Sequence, residues 1–232
     1  MDIRAMLRQY RDQAIESIKG DRETQIYLVL LVVLIVGGGG YYGHRWYTVG
    51  HAQKAHQAYA NSFLFYQMAL MQNQEASWRH VEVDARDVLQ RHHGTMYEPF
   101  FRAFLAQALI HLDKRDEGLR EMQQAVAAMP IEYRGIYQVN LDLILLDGSE
   151  QEQTRAIADL QALGADSKSR VQDMALYSLG TYFATRGDQK RASEYFKQAS
   201  ALPQPKQEIA NMPSPWQAMA RHKLTELGVD ER

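Results

Sequence analysis

ALYSLGTYFATRGDQKRASEYFKQASALP, Ala175 to Pro203, is the stretch that decides the fold. Its apolar residues recur three and four apart: Leu176, Leu179 and Phe183 before Gly187, then Ala192, Phe196 and Ala199 after it. That is the period of two amphipathic helices. Gly187 supplies the turn between them and Pro203 stops the second. Gly180 and Ala192 are small, which predicts a close crossing of the two helices, with Leu179, Phe183 and Phe196 filling the space beside it. One such hairpin cannot bury its apolar face alone, so it needs neighbours of the same kind.

Those neighbours are present upstream. Pro99 to Pro130 (PFFRAFLAQALIHLDKRDEGLREMQQAVAAMP) repeats the scheme, with Leu105, Ala106 and Leu109 on a first helix and Gly118, Met122 and Ala125 on a second. Between the two units lies a degenerate one: Tyr137, Leu141, Ile144 and Leu145, then Ala156, Leu160 and Leu163, joined by a loop DGSEQEQ (Asp147 to Gln153) that reads as a few residues too long. Residues 51–93 predict one more pair, with Ala58, Phe63, Tyr66 and Leu70 followed by Trp78, Val81, Ala85 and Leu89. The spacing resembles the tetratricopeptide pattern of about 34 residues, W-x2-L-G-x2-Y then A-x3-F then Pro. Leu176 stands for the Trp, Phe183 for the Tyr, and Arg102 takes the Trp position of the upstream unit. After a proline-rich connector at 204–214, Trp216, Met219, Ala220, Leu224 and Leu227 mark a last amphipathic helix suited to cap the stack.

The other decisive stretch is IYLVLLVVLIV. Ten of the eleven residues from Ile26 to Val36 are Leu, Ile or Val, and together they favour insertion by roughly 3–6 kcal/mol. From Ile26 to Tyr47 a helix rises about 33 Å, enough for a bilayer core of roughly 30 Å. Tyr27 marks one rim; Tyr41, Tyr42, Trp46 and Tyr47 mark the other. The expected architecture is therefore all-α: a head (1–25), a single N-terminal transmembrane helix (26–47), and a tetratricopeptide-like helical-hairpin solenoid with a C-terminal capping helix (48–232). A cleaved signal fits less well, because the preceding stretch carries five basic and five acidic residues and no A-x-A-like site follows. Arg11, Lys19 and Arg22 before the span outnumber Arg45 and Lys54 after it, which leans to a cytoplasmic head and an external repeat domain. Gly39 and Gly43 form a G-x-x-x-G pair that would let another membrane helix pack closely. In the head, Ile3, Met6, Leu7, Tyr10, Ala14, Ile15 and Ile18 share one helical face that suits a membrane surface or a partner.

Composition excludes much chemistry. The chain has no cysteine, which removes disulfides, thiolate metal sites and cysteine nucleophiles. Its net charge is −2 and no basic run marks the outer part, which argues against nucleic acid. Eight histidines include no H-E-x-x-H, and Gly37 to Gly40 lack the Lys-Ser/Thr of a phosphate loop. No cofactor, metal ligand or catalytic group is expected, and so no enzyme. A stack of helical hairpins instead offers a concave face to a peptide or protein. The pattern assigns to that face Gln107 and His111 in one unit and Met174, Tyr177, Thr181 and Thr185 in the last. The paired Lys and Asn by which some repeats of this kind hold a terminal carboxylate are missing from these positions.

Head, span and hairpins together resemble the YfgM-like family of bacterial inner-membrane proteins. The likeness rests on this order and length, on GHRWY (Gly43 to Tyr47) closing the span, on the alanine-rich helix after it, and on MARHKLTEL (Met219 to Leu227). The tetra-glycine, the loop near Asp147 and the connector at 203–215 depart from it. The resemblance implies an ancillary subunit of the Sec translocon whose periplasmic repeat domain contacts chaperones or translocating clients. The partners expected on that basis are translocon subunits, periplasmic chaperone or client proteins and membrane lipid, with a homo-oligomer as a further option. A scaffold of another envelope complex, for division or outer-membrane assembly, and a secreted soluble repeat protein are the alternatives.

Overall fold

Where two helices must approach closely, this chain places glycine. A computed structural model describes residues 53–203 and 214–228, and among them it contains nine helices and no strand. They are α1 (53–72), α2 (Glu75–Arg91), α3 (Glu98–His111), α4 (Arg115–Ala128), α5 (Ile131–Leu146), α6 (Glu150–Ala165), α7 (Gln172–Thr185), α8 (Gln189–Ala201) and α9 (Pro215–Glu226). The head, the span with Gly39 and Gly43, and the connector at 204–213 lie outside the described residues. Among the described residues no helix is long and apolar enough to cross a membrane. The chain divides into two units, 1–57 and 58–232. Of the first, only the helical residues 53–57 are described.

In the second unit the helices pack in sequence order, each against the next, which is the arrangement the repeats demand. At the α7–α8 crossing a Cβ on Gly180 would lie 2.6 Å from the ring of Phe196. At the α3–α4 crossing a Cβ on Gly118 would lie 2.8 Å from the carbonyl oxygen of Ala106. The core runs through the stack: Ala106, Met122, Val139, Leu160, Leu179 and Phe196 are all fully buried. A second cluster joins Trp78 and Val81 of α2 to Phe101 and Phe104 of α3. The capping helix lays Ala220 and Leu224 into the main core, while His222, Thr225 and Glu226 face outward.

The hairpin turns share a device. Asn73, Asp113 and Gly187 occupy the same place in three units, each with a positive φ (46°, 59° and 79°). A left-handed residue there lets the next amide reach back into the helix. Lys114 N–H donates to Leu109 O at 2.8 Å, and Asp188 N–H to Phe183 O at 2.9 Å. The third unit turns differently, and its connection is shorter than the sequence suggests. Asp147 to Gln153 is not one long loop, because α6 begins at Glu150. Ser149 and Glu152 form a reciprocal capping box: the Ser149 side chain accepts from Glu152 N–H, and Glu152 accepts from Ser149 N–H at 2.7 Å. The S-x-x-E spacing recruits residues that read as a solvated acidic turn. Ser149→Ala is therefore expected to lower stability by about 1 kcal/mol, with faster amide exchange confined to the first turn of α6.

Arg102, the residue at the Trp position, also finds its reason. Its guanidinium bridges α3 to α4 by donating to Glu98 (2.9 Å), Glu121 (2.8 Å) and Gln124 (2.8 Å). A polar brace thus replaces the ring the pattern would bury.

Candidate functional site

The first helix of each hairpin contributes to one continuous face, and its side chains change character along the stack. At the amino-terminal end the face is filled by the protein's own rings. Tyr59 of α1 lies 5.2 Å from Tyr97 and 5.9 Å from Phe104, ring centre to ring centre. Tyr66 lies 5.1 Å from Phe104, and Phe100 lies 5.4 Å from Tyr133 and 5.8 Å from Tyr137. Tyr137 shows how dry this region is. Burial, reinforced by the neighbouring Tyr59, Tyr66 and Tyr133, pushes its phenol far above the usual tyrosine range. Stacked and edge-on rings at these separations add cohesion beyond their area, so this half of the face is filled by the protein's own rings, buried or partly buried except for the exposed Tyr133.

Towards the carboxyl-terminal end the face opens into two hollows. One, of about 500 Å³, is lined by Tyr66, Gln107, Ile110, Asp113, Asn140 and Leu143 among others. The other, of about 350 Å³, is walled by Leu146, Tyr177, Thr181, Tyr182, Thr185 and Trp216. Leu143 and Asp147 line both, so the two hollows form one strip. The strip is largely apolar at its floor. Leu143 is 38% exposed, unusual for a leucine in a well-packed helix, and the Trp216 ring lies 5.5 Å from that of Tyr177, tilted by 45°.

The residues assigned to the face from sequence fall in three places. Gln107, Tyr177, Thr181 and Thr185 line the hollows. Thr181 and Thr185 turn their hydroxyls back onto Tyr177 O and Tyr182 O, so they present their methyls. His111 instead stacks flat on Trp78, 4.0 Å away and within 4° of parallel. Burial holds its imidazole below the usual histidine range. Met174 is 8% exposed and packs in the main core. Sequence reasoning missed Leu143, Asp147 and Trp216, which dominate the strip. Leu143 carried a signal: it is an apolar residue just off the buried stripe of Leu141, Ile144 and Leu145. Trp216 was legible only as a residue of the cap.

Among the described residues no three His, Asp or Glu side chains converge where they could hold a metal ion.

The family model described as a tetratricopeptide repeat-like domain matches residues 24–229. The chain belongs to that family. No curated protein and no solved structure matches it. As a tetratricopeptide repeat-like protein it has an all-helical solenoid of the class that mediates protein–protein interaction.

Proposed function

We propose that this tetratricopeptide repeat-like protein is a non-enzymatic adaptor, anchored in the bacterial inner membrane by residues 26–47. Its amino terminus is cytoplasmic and its repeat domain is periplasmic. It serves the Sec translocon, where the strip on the first helices receives a segment of a periplasmic chaperone or of a translocating client. The single observation that supports groove binding is the joining of the two hollows at Leu143 and Asp147 into one open strip. The anchor is supported by the uninterrupted apolar run Ile26 to Val36, and the family match starts just before that run, at residue 24. Gly39 and Gly43 would pack the span against a helix of the channel.

Photocrosslinking in cells tests both halves. A photoreactive amino acid in place of Leu143 should capture a chaperone or client chain, and one in place of Gly39 a translocon subunit. Recovery of division or wall-synthesis proteins alone would replace the export reading with that of an envelope scaffold. Release of the protein by alkaline carbonate would sink the anchor.

A further inference from the structure

The strip has a charge as well as a shape, and the two together specify its ligand. Both hollows lie at the carboxyl-terminal ends of first helices: Ile110 and Asp113 at the end of α3, Leu143 and Asp147 at the end of α5, Thr185 at the end of α7. Helix carboxyl ends carry partial negative charge. Asp113 and Asp147 add two carboxylates, and among the described residues neither lies within ion-pairing distance of a Lys, Arg or His. The one cation lining the strip, Arg115, is already engaged. It donates to both Glu152 oxygens at 3.3 Å and to Ile144 O at 3.2 Å. A separate hollow of about 570 Å³ beside the start of α5 is lined by Arg134, Lys168 and Arg170 together with Glu132. The strip thus combines an apolar floor with acidic rims, whereas the cations of that other hollow lie away from it.

From this juxtaposition the geometry points to a partner segment that carries a bulky apolar side chain together with a lysine or arginine one helical turn or less away. The apolar side chain seats in the hollow between Leu143, Tyr177 and Trp216. The cation meets Asp147 or Asp113 on the rim. The reach matches, because Asp147, the C-cap of α5, lies four residues after Leu143 and so close beside it at the helix end. The inference rests on the groove reading above and narrows it. An acidic or carboxylate-ended segment would meet like charge on this strip.

Selection of a random dodecapeptide library displayed on phage, against the full chain in detergent micelles, tests it. Enriched sequences should pair Leu, Phe, Met or Trp with Lys or Arg. A synthetic peptide of the enriched sequence should bind about tenfold more weakly to the Asp113→Asn, Asp147→Asn double variant. Both exchanges preserve shape, and asparagine tolerates the left-handed backbone at position 113. Binding to Leu143→Ala should also fall, with the basic preference retained. Enrichment of neutral or acidic sequences whose binding still depends on Leu143 would overturn this inference and leave the groove reading standing. Affinity for basic sequences that is indifferent to both aspartates would overturn it equally. No enrichment at all would remove the groove reading and this inference with it.

Discussion

Asp142→Asn will make the repeat domain more stable at pH 8 and slightly less stable at pH 4. Asp142 is fully buried in α5, beside the core residues Val139, Leu141 and Leu145. Gln138 Nε2 donates to its Oδ1 at 2.9 Å, and its Oδ2 meets no hydrogen-bond partner. Burial therefore pushes the carboxyl up to about 7, against the opposing pull of the Gln138 hydrogen bond. The neighbouring Asp159 pushes the same way, and Arg155 pulls against it. The sign follows from linkage. In the unfolded chain this group titrates near pH ~4. Below that, both states hold the proton and the site costs nothing extra. As pH rises towards 7 the unfolded chain ionises first, so folding stability falls, and it levels off once the folded group has also lost its proton. A shift of this size corresponds to a loss of about 4 kcal/mol. Asparagine does not titrate, so the variant escapes that loss. It keeps a buried amide hydrogen with no partner, worth about 1–3 kcal/mol against it at every pH. Urea unfolding of both proteins across this range should give curves that cross. Parallel curves would show that Asp142 is solvated in the native state.

The hairpins were legible because their signal is local. Leu179, Gly180, Ala192 and Phe196 lie within one unit, and the small-against-large pairing that the helix crossing requires is written along a single stretch of chain. The same holds for Gly118 opposite Ala106. The capping helix declared itself by Ala220 and Leu224, its two deepest apolar residues. What escaped were features that depend on where one helix face ends and the next begins. Met174 and Tyr177 are three residues apart, and both Met174–Ser178 and Tyr177–Thr181 are valid helical stripes. Met174 proves to pack in the core, while Tyr177 and Thr181, with the largely buried Ser178 beside them, line the strip. Periodicity locates a stripe but not the boundary between two adjacent stripes, which is set by the neighbouring hairpin. The stacking of the exposed His111 on Trp78 is of the same kind, since Trp78 comes from the preceding helix pair.

The aromatic filling at the amino-terminal end leaves a readable trace in the sequence. Tyr59, Tyr97 and Tyr133 recur at nearly the repeat interval, as do Tyr66, Phe104 and Tyr137, which places rings at matching points of successive first helices. Recurrence at the length of the repeat, rather than the helical turn, is the pattern that marks a shared face. The capping box of Ser149 and Glu152 was also present in the sequence. The surrounding run of Glu and Gln, polar on all sides, hid the helix start it announces.

The largest single loss should come from Phe196→Ala, about 3–5 kcal/mol, and a second substitution can show where that loss arises. Phe196 is fully buried on α8, with Tyr177 at 5.6 Å on one side and Gly180 against its ring on the other. In the native protein Gly180→Ala drives a methyl into a ring that has no room to retreat, at about 1–3 kcal/mol. The gain in helix propensity, about 1 kcal/mol, only partly offsets this. In the Phe196→Ala background the ring is gone. The same exchange then fills part of the cavity and keeps the propensity gain, so it should stabilise rather than destabilise. The double-mutant cycle is expected to give a coupling of about 2 kcal/mol; additive effects would mean that α7 and α8 do not cross at this point. The damage should also be regional, because a solenoid's stability is a sum over neighbouring units. Losing the α7–α8 contact undoes the seat of α9 and exposes Trp216, while α3 and α4, held by Met122, Ala125 and their own turn at Asp113, remain protected. Hydrogen exchange in Phe196→Ala should therefore rise steeply from α7 onward and hardly change before Ala128, and the strip should lose its Trp216 wall while its Gln107 end persists.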